Sequence, residues 1–166
     1  MNTSYLLLGS NLGNREKHLS LALELIEMNS GKIISTSSVY NTSAWGNQNQ
    51  NDFLNQVVCV ETKLSAEKLL REILSIEKKL GRIRSQKWQP RSIDIDILFF
   101  NQHISTSAHL HIPHPHLHER RFALVPLAEI AGKYIHPILK KSVKKLLEDC
   151  NDQLEVVNVS RETSNQ

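Results

Sequence analysis

Cysteine is scarce in this chain of 166 residues: there are two, Cys59 inside an apolar run and Cys150 near the C-terminus. A disulfide framework is therefore excluded, and a reducing cytoplasm fits this usage. Long apolar runs are missing as well, so neither a membrane span nor a signal-like start is expected, and the opening MNTSYLLLGSN reads as a strand. An excess of one charge is also lacking. Lys plus Arg number 20 against 17 Asp plus Glu, and the formal +3 is too small to imply a nucleic-acid partner. Aromatic residues make up 5%, and the chain has no RNP-like K/R-G-F/Y run of an RNA-binding module. Glycine-rich phosphate loops are missing too: Gly9-Ser10-Asn11-Leu12-Gly13-Asn14 has no G-K-[ST] and no G-x-G-x-x-G, and reads as a tight turn followed by a helix cap. No repeat or interdomain linker is visible. What remains, 40% hydrophobic and 22% charged residues, describes one domain over residues 1–166 that buries roughly two thirds of its unfolded surface.

Periodicity sets the order of elements. Tyr5 to Leu8 is a short strand, and Leu19, Ala22, Leu23 and Ile26 recur at helical spacing. Lys32 to Tyr40, rich in Ile, Val, Ser and Thr, reads as a second strand, and Asn41 to Asp52 as a long polar loop around Trp45. Phe53 to Thr62 is a third strand. Ser65 then caps a helix carrying Leu69, Ile73, Ile76 and Leu80, which Gly81 ends. A basic loop from Arg82 to Arg91 leads into Ser92 to Phe100, the clearest strand of the chain. The order β-α-β-β-α-β is that of an α+β, ferredoxin-like fold with an antiparallel sheet. A short segment at 102–109, a His- and Pro-rich stretch, a helix from Ser142 to Glu148 and a frayed RETSNQ end follow it.

Chemistry concentrates around that last strand. In Ile93-Asp94-Ile95-Asp96-Ile97 the period of two puts the isoleucines on one face and both carboxylates on the other, their Cα atoms ~6.5 to 7 Å apart. Such a pair is either one solvated face of an antiparallel strand or a holder of hard cations. Magnesium takes one or two carboxylates with phosphate oxygens and water, and two-metal phosphoryl sites set their ions ~3.5 to 4 Å apart. Arg82, Arg84, Lys87 and Arg91 are spaced too irregularly for a helix stripe and sit around Trp88-Gln89-Pro90. Guanidinium forks suit phosphate oxygens, so this loop beside D-x-D points to a nucleotide-phosphate site. Six of the eight histidines lie between His103 and His118, but no cysteine is near and Pro113 and Pro115 interrupt any regular ligand spacing. They read mostly as surface histidines, with one touching a nucleotide as the second reading. A metal-dependent phosphohydrolase could use the same carboxylates and arginines, and product analysis separates the two.

Gly9-Ser10-Asn11-Leu12-Gly13, Ser38-Val39-Tyr40-Asn41-Thr42, Asp52-Phe53-Leu54-Asn55, Gly81-Arg82-Ile83-Arg84 and the W-x-P-R-x-x-D-x-D run from Trp88 to Asp96 together resemble the 6-hydroxymethyl-7,8-dihydropterin pyrophosphokinases. The resemblance spans about Ser4 to Ile130, with Pro113-His114, Arg120 and Phe122 at the family's spacing. It implies transfer of pyrophosphate from ATP to 6-hydroxymethyl-7,8-dihydropterin, with AMP as the other product, on the route to folate. Asp94 and Asp96 would bind two Mg2+ ions. Arg82, Arg84, Lys87, Arg91, His114 and Arg120 would contact ATP, with Glu77 and Ile97 beside them; Arg82 and Arg91 would join the aspartates in catalysis. The pterin would lie against Thr42, Ser43, Trp45, Asn55, Trp88 and Asp94, its ring between Phe53 and Phe122. Ser43-Ala44 stands where the family commonly has prolines, Trp45 replaces a smaller apolar residue, and the basic loop is one residue short. A monofunctional, monomeric enzyme with C-terminal helical additions is expected, with no membrane or nucleic-acid partner.

Overall fold

The computed structural model describes residues 1–43, 51–81 and 92–159. Strand β1 (Asn2–Ser10) lies between β4 (Phe53–Thr62) and β5 (Asp94–Phe100), antiparallel to both. On the far side of β4 run β2 (Lys32–Thr36) and β3 (Tyr40–Thr42). With helices α1 (Arg15–Asn29) and α2 (Ala66–Lys79) as the crossovers, this is the expected ferredoxin-like arrangement. Both helices begin where their polar caps direct. Asn14 Oδ1 accepts the Lys17 N–H at 3.1 Å, and Ser65 Oγ accepts the Lys68 N–H at 3.3 Å. Gly81, with φ +86°, follows α2 in the left-handed conformation that ends helices.

Alternation decides which residues meet the helices. Leu6, Leu8, Leu54, Val58, Val60, Ile93, Ile95 and Ile97 face α1 and α2, whose Leu19, Ala22, Ile26, Leu69, Ile73 and Ile76 complete one core. Each such side chain contributes about 1.5–3 kcal/mol when fully buried. The opposite face is not left to solvent. Leu7, Val57, Leu98 and Phe99 pack under α3 (Arg121–Ala131) and α4 (Val143–Asp149), forming a second core with Leu124, Leu127, Val143 and Leu146.

Four features differ from the sequence reading. The expected strand from Lys32 to Tyr40 is broken: between the pairs Thr36↔Val58 and Tyr40↔Asn55 it carries one residue more than β4. Ser37 fills the break, its Oγ accepting the Val57 N–H at 2.9 Å and its carbonyl the Gln56 side-chain amide at 3.0 Å. Helix α3 lies in a stretch read only as His- and Pro-rich. Pro126 sits inside it, and a 3-10 turn (Leu117–Glu119) precedes it. The segment at 102–109 contributes β6 (Ser105–Ser107), which forms a hairpin with β7 (Leu110–Ile112). Finally, β8 (Val156–Asn158) adds to the edge of β3. The expected frayed end RETSNQ lies outside the described residues.

Gly31, between α1 and β2, allows this helix to turn back against β4. A Cβ there would stand 2.2 Å from the Glu61 carbonyl oxygen, an atom fixed in the sheet. Gly31→Ala is expected to cost about 1–3 kcal/mol or more, as overpacked sites do, and chemical denaturation measures it.

Candidate active site

One row of paired residues crosses the sheet: Asp94 opposite Gly9, Gly9 opposite Asn55, and Asn55 opposite Tyr40. Directly paired residues share a face, so this row lies on the α3 side with Asp96, Phe53 and Thr42 two positions along their strands. Gly9 opens room in the row. A Cβ at this position would stand 2.8 Å from Asn55 Oδ1 and 3.5 Å from the Phe53 ring. Across the gap, Asn55 Nδ2 donates to Thr42 Oγ1 at 2.7 Å, both residues being buried.

Both stems of the β3–β4 connection are tied to the start of α1. Arg15 donates to the Asp52 carbonyl at 2.9 Å and to Asn41 Oδ1 at 3.3 Å, and Asn41 Nδ2 donates to Asp52 Oδ2 at 3.1 Å. Glu129 of α3 accepts the Ser38 N–H on both oxygens, at 2.8 and 2.9 Å, and the Tyr40 hydroxyl at 3.0 Å. Thr42 and Phe53 are therefore placed by contacts on both sides.

The β5 side carries His114, Arg120 and Asp94. The His114 N–H donates to the Leu98 carbonyl on the outer edge of β5 at 3.1 Å. Burial, helped by the Arg120 charge and by His116, holds the His114 imidazole down to about 4, against an opposing pull from Asp94. The ring is thus neutral near pH 7. Its Nδ1 accepts the His116 N–H at 3.2 Å, which leaves the ring proton on Nε2 as a donor. The Arg120 guanidinium lies 5.7 Å from the centre of the Phe122 ring. A neutral donor, a fixed cation and two partly exposed carboxylates form a site suited to phosphate oxygens and a hard cation.

A model of the 7,8-dihydro-6-hydroxymethylpterin-pyrophosphokinase family matches residues 5–132. The chain belongs to this family. It is a pyrophosphokinase acting on hydroxymethyldihydropterin in folate biosynthesis. It is 43% identical over 145 residues to 2-amino-4-hydroxy-6-hydroxymethyldihydropteridine pyrophosphokinase of Aquifex aeolicus, covering 87% of this chain and 90% of that protein. It is 40% identical over 148 residues to a folic acid synthesis protein of Pneumocystis carinii, of which it spans 20%. The crystal structure of wild-type Plasmodium falciparum HPPK-DHPS shares its fold, with a TM-score of 0.70 at 22% identity over 90% of this chain and 43% of that one.

Within this pyrophosphokinase, Asp94, Asp96, Thr42, Phe53 and Asn55 share a sheet face, and His114, Arg120 and Phe122 come from the segment leading into α3. Ser43 is exposed at the end of β3. Two residues expected beside ATP have buried side chains. Ile97 is buried in the core under α1 and α2, on the opposite face from the aspartates. Glu77 is 1% exposed, and its Oε2 accepts the Ile95 N–H at 2.9 Å. Trp45, Arg82, Arg84, Lys87, Trp88 and Arg91 lie outside the described residues. Sequence reasoning took Gly9 for a turn residue and passed over Arg15 and Glu129. A glycine inside an apolar strand is itself a sign of close approach from a neighbour.

The His114 shift has a direction in pH. Its ordinary value is 6.5, so as pH falls the unfolded chain takes up the proton before the folded one does. Stability is therefore complete above pH 6.5 and is lost between 6.5 and about 4. Buried His136 is lowered as well and adds to the same limb. Melting curves of the ligand-free chain against pH should show this fall, and His114→Gln should flatten it.

Proposed function

We propose that pyrophosphoryl transfer runs along one face of the sheet, with ATP on the β5 side and the pterin on the β3–β4 side. The row from Asp94 through Gly9 to Asn55 carries this reading, because it sets carboxylates and a buried polar pocket side by side. Asp94 and Asp96 would hold two Mg2+ ions. Among the described residues no group of three or more His, Cys, Asp or Glu is arranged to hold a metal, and magnesium suits such a sparse set because phosphate oxygens and water fill its remaining positions. When bound, the ions neutralise charge on the phosphates and orient them.

The residues of the chain do the rest. His114 Nε2–H and Arg120 hold phosphate oxygens, and Arg82, Arg84, Lys87 and Arg91 add positive charge, Arg82 and Arg91 during the transfer itself. Thr42 and Asn55 hydrogen-bond the polar edge of the pterin, and Phe53 and Phe122 stack on its ring. Ser43, Trp45 and Trp88 border it. Glu77 acts indirectly, by fixing β5. The hydroxymethyl oxygen, held in line, attacks the β-phosphorus; the bond from that phosphorus to the α-phosphate oxygen breaks, AMP leaves, and the hydroxyl proton is released to water. Positioning and charge neutralisation supply most of the catalysis. We place the enzyme in the cytoplasm on its cysteines, since both Cys59 and Cys150 are free thiols.

Chromatography of quenched reactions tests the bond broken. Pterin-dependent AMP is expected; ADP, or phosphate released without pterin, would overturn the reading. Asp96→Asn should lower kcat by ~100-fold or more with the melting temperature nearly unchanged. Gly9→Ala pushes Asn55 Oδ1 out of place and should raise the KM for pterin roughly twofold to tenfold, the value of one hydrogen bond, while leaving that for ATP close to normal.

A further inference from the structure

The segment after α4 touches both walls of this site, and it lies beyond the stretch that the family model matches. Helix α3 begins without a cap of its own: Arg120 at the N-cap position makes no side-chain cap hydrogen bond. The first N–H groups of any helix lack partners within it. Here Asp152, from 31 residues further along the chain, supplies one, its Oδ2 accepting the Arg121 N–H at 3.0 Å. A carboxylate also suits the positive end of the helix dipole. The other oxygen works locally. Asp152 Oδ1 accepts the Leu154 N–H at 3.0 Å, closing a turn that sends the chain into β8. Strand β8 then pairs with β3, Val156 opposite Thr42 and Asn158 opposite Tyr40, and the Val159 N–H donates to the Val39 carbonyl at 2.9 Å.

One carboxylate thus joins two things: the start of α3, where Arg120 and Phe122 flank the capped residue, and the strand that carries Thr42. We propose that Asp152 is a positioning residue for pyrophosphoryl transfer, setting Arg120 and Phe122 at a fixed separation from Thr42 and Asn55. The inference rests on the roles given above to those four residues. It needs no contact between Asp152 and either substrate.

Steady-state kinetics of the full-length chain, well below its melting temperature, provide the test with three variants. Asp152→Ala removes both hydrogen bonds. Asp152→Ser keeps a hydroxyl able to close the local turn with Leu154 but too short to reach Arg121. Asp152→Asn keeps one acceptor oxygen, enough for one of the two N–H groups, and turns its amide nitrogen, a donor, toward the other. The Ala and Ser variants should raise the KM for pterin and for ATP roughly twofold to tenfold, and amide exchange at Arg121 should speed up with them. Asp152→Asn should fall between the Ala variant and the native chain in both readouts. Should the Ala variant not fold, the Ser variant decides. Unchanged KM values for both substrates in the Ser variant, whatever its melting temperature, would overturn the proposal. Phe122→Ala run alongside separates the two levels: if it leaves the pterin KM unchanged, the site reading beneath the proposal fails. If it raises that KM while Asp152→Ser does not, only the role of Asp152 fails.

Discussion

The pairing of β1 with β5 on one side and β4 on the other fixes the distance between the aspartates of β5 and the buried polar pair of β3 and β4. Strands in a sheet are ~4.7–4.9 Å apart, so the Asp94 and Asn55 backbones, separated by β1, stand about 10 Å from each other. On the function proposed above, that span would leave room for a hydroxymethyl group and the outer phosphates between a pterin over Asn55 and cations at Asp94. Residues from three strands and from the α3 entry share the site, yet the ladder hydrogen bonds of β1 set their relative positions. A slip of one residue in either pairing would turn the aspartates or Asn55 into the core under α1 and α2.

The second core explains how a ferredoxin-like sheet can carry a site on one face and stay closed. Leu7, Val57 and Leu98 lie on the same face as Asp94 and Asn55, but further from the Gly9 end. Helices α3 and α4 cover the apolar part and leave the polar end partly open. The start of α3 therefore falls beside the carboxylates, which is why Arg120 and Phe122 can join a site built on strands. Glu129, one end of α3 away, holds the other side of that helix to Ser38 and Tyr40.

Local pattern made much of this legible. Leu69, Ile73 and Ile76 announced the buried stripe of α2, Ser65 its start and Gly81 its end, because each acts within a turn or two of the chain. Asp94 and Asp96 were legible as a pair because strand periodicity alone puts them on one face. Helix α3 was hidden by Pro126 and by the prolines and histidines before it; an interior proline costs about 3 kcal/mol or more, and here the burial of its neighbours Leu124 and Leu127 with Leu7 and Val57 offsets that cost. The break at Ser37 and the pairing of β8 depend on partners far along the chain, Val57 and Tyr40, and no window of neighbouring residues contains them. Gly9 was visible but misassigned: its use is space for Asn55, a cross-strand neighbour. The side chain of Ile97 lies in the core with Ile93 and Ile95, as period two implies.

Strand β5 lies at one end of the sheet, where backbone groups are exposed to pairing with another chain. In this fold two of them are occupied. The Glu77 carboxylate takes the Ile95 N–H, and the His114 N–H takes the Leu98 carbonyl. At the opposite end β8 covers β3. The groups that set β5 and bring His114 to the site therefore also deny a neighbouring molecule a strand to add to. Protection from sheet-to-sheet aggregation and the placement of the His114 ring are two results of the same hydrogen bonds, so a change that loosens the edge would lower solubility as it moves that ring.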